Sequence, residues 1–294
     1  MAPTPDIPAR SARHALRWLL LAKLQLLNTF STKPITGTAG AVVSLTTYGQ
    51  RTRTVHLAIE SIACGHIRPQ RLILWVDEFS ETDELPAPLK RLVKRGLEVR
   101  HCANYGPHKK YYPYVASLEV SQANRPLIVV DDDFLYPKSW LQSLMSSYAE
   151  YPNVVSCTRA HELQIAEAIL PYSSWPACRT DRPTFRTFAT GVGGVLYPPS
   201  VLRQLQKLGL SFMDKAPKAD DVWLHYAAVT ARVPVRQVSS TPLDLEFKIL
   251  PFGQDTSLQN VNVGEGQNDL QIKATYDAAT LEFLKREPLS QAGI

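Results

Sequence analysis

Three carboxylates, Asp131, Asp132 and Asp133, stand side by side directly after the apolar run Leu127–Val130. A short apolar run of this kind is a buried strand. In parallel α/β sheets, the polar groups that end such strands face the ligand. In an extended chain Asp131 and Asp133 would point to the same side, about 7 Å apart. Two charges at that distance repel by roughly 2 kcal/mol at an effective dielectric of about 20. A cation between them removes that cost, and hard carboxylate oxygens suit Mg²⁺ or Mn²⁺. The alternative is a solvated acidic turn, one of whose members caps a helix.

Asp220 and Asp221 form a second acidic group, ahead of the apolar face Val222, Trp223, Tyr226 and Ala227. Backbone N–H groups at a helix start keep a carboxylate ionised, which suits a base and equally a cap. Cations for a phosphate are offered by Arg51 and by His108-Lys109-Lys110, unless the latter is a solvated basic turn. The cluster Gly191-Val192-Gly193-Gly194 marks a tight turn or a surface where a ligand meets the backbone. It lacks the spacing of a dinucleotide site or a P-loop. Tyr172, Trp175 and Phe188 can stack on sugar rings or pack in the core.

The elements that must position these groups alternate in type. Apolar strands are expected at 41–45, 71–76, 97–101, 127–130 and 154–158, with helices at 54–64, 87–95, 114–122 and 138–151 between them. That rhythm predicts a mostly parallel sheet covered by helices on both faces. A short strand at 195–197 and helices at 199–208, 221–231 and 276–285 follow. Three divisions are expected: a basic amphipathic arm over 1–34, a catalytic domain over 35–250 and an extension over 251–294.

At 45% hydrophobic and 20% charged residues, the chain can bury a sizeable core. The net charge is +5, and the first 34 residues hold Arg10, Arg13, Arg17, Lys23 and Lys33 against Asp6 alone. A near-neutral body with a basic arm argues against a nucleic-acid partner. The helical face Leu16, Leu19, Leu20, Lys23, Leu24 and Leu27 fits a membrane surface over residues 12–28, or docking on protein. Its longest apolar run is five residues, too short for a span or a secretory core. The expected location is cytoplasmic, with peripheral contact at the inner face of the membrane. Cys64, Cys102, Cys157 and Cys178 lack metal-ligand spacing and read as free thiols.

Five segments together resemble the family 2 glycosyltransferases of bacterial type. VVSLTTYGQR is similar to their first strand and turn, and RLILWVDE to their second strand with its terminal acid. PLIVVDDDFLYPKSWLQSL resembles the D-x-D metal strand. FATGVGGVLYPPSVL followed by ADDVWLHYAA resembles the acceptor loop and the acidic pair that carries the base. The order agrees from about residue 41 to 232. The resemblance implies a GT-A fold, Mn²⁺ or Mg²⁺, and sugar transfer from a nucleotide-diphosphate donor to a glycan or lipid-linked acceptor. It implies nucleoside contacts at Thr46, Thr47, Tyr48 and Asp77, with Asp131 near the ribose and metal and Asp132 among the donor contacts. Asp133 is then the principal metal ligand and Asp221 the base, with Asp220 in place of the family's usual Glu. Arg51, Lys109 and Lys110 would face the donor phosphates, and Tyr172, Trp175, Gly193 and Gly194 the acceptor. No Gln/Arg-x-x-Arg/Lys-Trp motif of processive enzymes is evident, so single addition is expected, and one base with one metal site implies in-line displacement with inversion. The rival expectations are a metal-dependent phosphatase or nuclease, and a non-catalytic nucleotide-sugar-binding module.

Overall fold

Strands whose residues are apolar at nearly every position must be covered on both faces, and the central strands here are built that way. The computed structural model describes residues 7–78, 84–119, 124–240, 248–250 and 267–288. The first six residues of the Pro-rich start and the polar tail 251–266 lie outside the described residues, and the helix expected at 114–122 runs instead over Tyr112–Ser117, ended by the extended Leu118. The seven-stranded sheet contains β1 (Ala39–Thr46), β2 (Pro69–Val76), β3 (Leu97–His101), β4 (Leu127–Val129), β6 (Val155–Cys157), β9 (Val195–Tyr197) and β10 (Val235–Gln237). Their order is β10-β6-β9-β4-β1-β2-β3. β9 alone runs against its neighbours β4 and β6, so the sheet is mostly parallel.

Successive residues of each strand serve opposite layers. Val42, Ile73, Leu127 and Val129 pack with Tyr111, Val115, Leu202, Leu205 and Trp223. These come from α4 (Tyr112–Ser117) and its lead-in, α6 (Pro199–Leu208) and α8 (Asp220–Thr230). Val43, Leu45, Leu72, Leu74, Ile128 and Val130 pack on the other face. There they meet α2 (Val55–Ala63), α3 (Ala87–Val93) and α5 (Trp140–Glu150), through Ile59, Leu89, Leu92 and Leu144.

Two expectations need correcting. The strand before the acidic triplet stops at Val129, and Asp132 and Asp133 form a turn into β5 (Phe134–Leu135), which pairs with β11 (Lys248–Ile249). The triplet is therefore not extended, and its middle member turns into the protein. The segment after Thr158, which has no clear periodicity, contains the antiparallel pair β7 (Ala160–Glu162) and β8 (Thr187–Ala189).

α1 (Ile7–Phe30) docks on this body. Leu21 and Leu24 are buried against Leu57, Ala58, Leu135 and Leu250. Asn28 donates to Glu60 at 3.2 Å, and Glu60 is ion-paired with Arg95 at 2.5 Å, all three being buried. None of the four cysteines forms a disulfide among the described residues. No described helix is long and apolar enough to cross a membrane.

Removing one partner of a buried ion pair leaves the other charge uncompensated, at a cost of about 3–5 kcal/mol. Glu60→Ala should destabilise the protein by that amount in chemical denaturation. Glu60→Gln, which still accepts hydrogen bonds from Asn28 and Arg95, should lose less. Equal midpoints for Glu60→Ala and the parent would show that this network does not hold α1 in place.

Candidate active site

The carboxyl ends of β1, β2 and β4 converge, and the charged side chains named from the sequence meet there. At the end of β1, Thr46 donates to the Trp75 carbonyl at 2.9 Å and Thr47 to Asp132 at 2.7 Å. Both hydroxyls are thus spent on the protein itself. Arg51 follows in a short turn. Its guanidinium meets Asp132 at 2.9 Å and Asp133 at 3.2 Å, and lies 5.5 Å from the centre of the Tyr48 ring. At the end of β2, Asp77 pairs with Lys109 at 2.5 Å, and both are enclosed.

Lys110 sits at the centre. Its ammonium contacts Asp131 at 2.7 Å and Asp220 at 3.1 Å, joining the end of β4 to the first turn of α8. The Lys110 carbonyl accepts from Ser44 at 2.6 Å, and the Ser44 oxygen accepts in turn from the Trp75 indole. Tyr136 holds the Asp131 peptide: its hydroxyl donates to the Asp131 carbonyl and accepts from the Asp131 N–H. Asp221 does not cap its own helix. The Gly191 N–H donates to its carboxylate at 3.1 Å from another segment, and the helix is entered through Ala219.

Gly191 lies between the two acidic groups. A Cβ built there would stand 3.4 Å from the Asp221 carboxylate and 3.5 Å from that of Asp131. This proximity follows from β9 running antiparallel to β4: the chain entering β9 begins where β4 ends. Gly193 and Gly194 act differently. Both are buried with φ of 77° and 91°, and a Cβ on Gly194 would meet Trp140 at 3.0 Å. They let Trp140 reach the backbone, so the expectation that they contact an acceptor is corrected: in this cluster Gly191 faces the carboxylates.

Five carboxylates (Asp131, Asp132, Asp133, Asp220 and Asp221) share the cations Lys110 and Arg51. The surplus raises proton affinities. Burial and then Asp131 push Asp133 up to about 7. Burial and then Asp220 push Asp221 up to about 7 as well. Asp132 is also raised by burial, against the pull of Arg51. Burial pulls the Lys110 ammonium down, but Asp131, Asp220 and Asp221 outweigh it and hold it well above its ordinary value.

The aromatic candidates separate. Trp175 is buried against Phe188 and donates to the Leu170 carbonyl, so it belongs to the core and not to an acceptor platform. Tyr172 remains half-buried with its ring against His161, Trp175 and Phe188, and burial followed by the charge of Asp221 pushes its phenol up to about 12. His108 is no surface phosphate ligand. It is stacked on Phe212, donates from Nε2 to the Ala216 carbonyl at 2.7 Å and accepts from Tyr111 at 2.8 Å. It ties the lysine turn to the segment that leads into α8. Sequence reasoning missed the parts played by Ser44, His108, Tyr136 and Gly191. For Tyr136, closeness to the triplet was the available signal.

No protein-family model matches the chain, and no curated protein is significantly similar to it. Solved structures are similar. The mannosyltransferase PcManGT from Pyrobaculum calidifontis, in complex with GDP-Man and Mn²⁺, superposes with a TM-score of 0.52 at 12% identity. That match covers 95% of this chain and 78% of PcManGT. S. aureus TarS 1–349 in complex with UDP gives a TM-score of 0.45 at 16% identity. The match takes in 68% of this chain and spans only 58% of the TarS structure. The architecture is the GT-A one, a seven-stranded, mostly parallel sheet between helical layers.

The acidic surplus has a pH signature. A carboxyl raised in the folded state contributes stability that is lost as pH rises through its folded value, here about 7 for Asp133 and Asp221. The buried histidines His108 and His225, lowered to about 4, act below pH ~6.5 and with the opposite sign. Between pH ~6.5 and ~8 the carboxyls therefore dominate, and stability should fall by on the order of 1 kcal/mol. Asp133→Asn should flatten this slope in thermal melts. An unchanged slope would place the titrating group elsewhere.

Proposed function

We propose that the chain is a glycosyltransferase that moves a hexosyl-type sugar from a nucleotide-diphosphate donor to a hydroxyl of a glycan or lipid-linked acceptor. Transfer is a single addition with inversion, and the chain is of the family 2 kind. The observation that carries this reading is the approach of Asp131 and Asp221 to one residue without a side chain, Gly191. A donor-side acid and an acceptor-side acid thereby share one mouth. The GDP-Man and Mn²⁺ bound to PcManGT, whose fold is similar, support a nucleotide-sugar donor and a divalent cation here. The same reading includes the three divisions expected from the sequence, a role in polysaccharide or glycolipid assembly, and peripheral membrane contact through residues 12–28.

The donor set fits a divalent cation. Asp131 and Asp133 offer hard oxygens in a region with more carboxylates than cations. Among the described residues, no group of three or more His, Cys, Asp or Glu side chains is placed to hold an ion alone. The donor's phosphate oxygens would complete the coordination. A bound divalent cation supplies charge neutralisation to the departing diphosphate.

The chain's own residues do the rest. Lys110 and Arg51 lie beside the triplet, where negative charge grows on the leaving group. Asp221 takes the proton from the attacking hydroxyl. Its proton affinity near 7 suits a base working around neutral pH. The Gly191 N–H holds one carboxylate oxygen, and the Lys110–Asp220 pair fixes the start of α8 on which Asp221 stands. The half-buried Tyr172 ring is the aromatic candidate for an acceptor sugar.

Asp221→Asn keeps size and helix start and removes proton acceptance. Turnover should fall by roughly 10² to 10⁴, with donor binding and thermal stability retained. Asp220→Asn should lose less, and a larger loss there would move the base by one residue. Normal turnover in both variants would refute the mechanism.

The metal makes a separate prediction. Mn²⁺ should raise the melting temperature strongly only when UDP or GDP is also present, and Asp133→Ala should abolish that joint effect. A full shift with Mn²⁺ alone, or an unchanged joint shift in Asp133→Ala, would contradict the assignment.

A further inference from the structure

α9 (Gln267–Thr275) and α10 (Ala278–Arg286) close the described chain. They belong to the stretch that reads from the sequence as an extension, yet their polar side chains reach back to both sides of the candidate base. Asp269 accepts from the Tyr172 N–H at 2.8 Å, and Gln271 accepts from the Lys218 N–H at 2.7 Å. The Gln271 amide is fixed from its other end too, since its Nε2 donates to the Gln267 carbonyl at 3.2 Å. Lys218 lies between α7 (Phe212–Lys215) and α8, two residues ahead of Asp220.

The helix period shows what these two contacts do together. At about 100° per residue, Asp269 and Gln271 stand roughly 160° apart across the buried side of α9, with Ile272 and Thr275 between them. Leu270, on the other side, is 63% exposed. α9 therefore lies between two segments and holds one with each edge of its buried face.

At one edge is the Tyr172 turn. Its ring packs on Phe188 at 6.0 Å, and Phe188 stands on β8, which runs on to Gly191, whose N–H holds Asp221. At the other edge is the lead-in to α8, the helix that carries Asp221. The same C-terminal stretch grips α8 one turn further on. His225 accepts from the Tyr276 hydroxyl at 2.6 Å and donates to the Phe185 carbonyl at 3.1 Å, with both side chains buried. Tyr226 donates to Asp277 at 3.0 Å, and Asp277 also caps α10 by accepting from the Thr280 N–H at 2.8 Å. The donor-side groups stand on other elements, at the ends of β1, β2 and β4.

We propose that α9 is part of the acceptor side of the active site, with Asp269 and Gln271 as positioning residues that set the gap between the Tyr172 layer and the Asp221 helix. This rests on the glycosyl-transfer reading above. A group that must take a proton from a bound hydroxyl depends on such spacing, because a misplacement of about 1 Å can cost roughly a hundredfold in rate. Loosening α9 then affects use of the acceptor and leaves donor binding alone.

Steady-state rates over a panel of UDP- and GDP-sugars with octyl glycosides as acceptors, measured alongside melting temperature, test this. Asp269→Ala and Gln271→Met should each lower kcat/KM for the acceptor by roughly tenfold to a hundredfold, with the donor KM at the parent value. Asp269→Asn, which still offers an oxygen to the Tyr172 N–H, should restore most of the loss. Gln271→Met keeps the length and packing of a buried side chain, so the expectation holds even if Asp269→Ala fails to fold. A lowered melting temperature with parent kinetics would make α9 a staple for the chain end and overturn the inference. Donor and acceptor KM rising together would overturn it as well. A parent that transfers to no acceptor would overturn the transfer reading and this inference together, whereas an active parent with unaffected variants overturns the inference alone.

Discussion

One ammonium group, Lys110 Nζ, holds two carboxylates that arrive from different parts of the fold. Asp131 comes from the end of β4 and Asp220 from the start of α8. The lysine is fixed at both ends of its own turn. Ser44 donates to its carbonyl from inside β1, and His108, two residues earlier, donates to the Ala216 carbonyl ahead of α8. Without this bridge, the Asp220-Asp221 pair would face the triplet with only Arg51 to offset it. At an effective dielectric of about 20, each close pair of carboxylates costs on the order of 2 kcal/mol or more. The bridge reduces that repulsion and leaves part of it, which appears as the raised proton affinities of Asp133 and Asp221. Such a site opposes folding in the empty protein and favours whatever brings positive charge to it.

The rest of the fold makes this arrangement affordable. Both faces of the sheet are sealed by helices, so the strands end in a rigid edge and the acidic groups lie on well-packed elements. The reversed strand β9 delivers Gly191 to the end of β4. Two further glycines, at positive φ, let Trp140 donate to the Gly193 carbonyl at 2.5 Å beneath it. On the outside, the Glu60–Arg95 pair and Asn28 hold α1 in register with α2.

The sequence revealed most of this where its signals were redundant. Apolar runs marked β1 to β4, and the helix at 199–208 was readable from its periodicity. The acidic triplet and pair stood out because carboxylates rarely end such runs without a purpose. Short pairings such as β5–β11 and β7–β8 escaped, since two or three residues hold no periodicity and only tertiary contacts select them. Trp175 and Tyr172 read alike as aromatics in an irregular segment, yet Trp175 is buried in the core while Tyr172, packed against it, stays half-exposed. His108 lay in a run of basic residues, and nothing local said that Phe212 would stack on it. Gly191 could not be told from Gly193 and Gly194, because their roles depend on which side chain approaches from across the sheet.

The central claim is that the mouth between Asp131 and Asp221 transfers a sugar from a nucleotide diphosphate. Incubating the protein with Mn²⁺, a panel of UDP- and GDP-sugars and simple glycan or glycolipid acceptors, while following nucleoside diphosphate release, tests it most directly. The account predicts acceptor-stimulated release of free UDP or GDP from one donor, with a matching glycosylated product. Release of inorganic phosphate instead, or donor binding with no turnover on any acceptor, would contradict it.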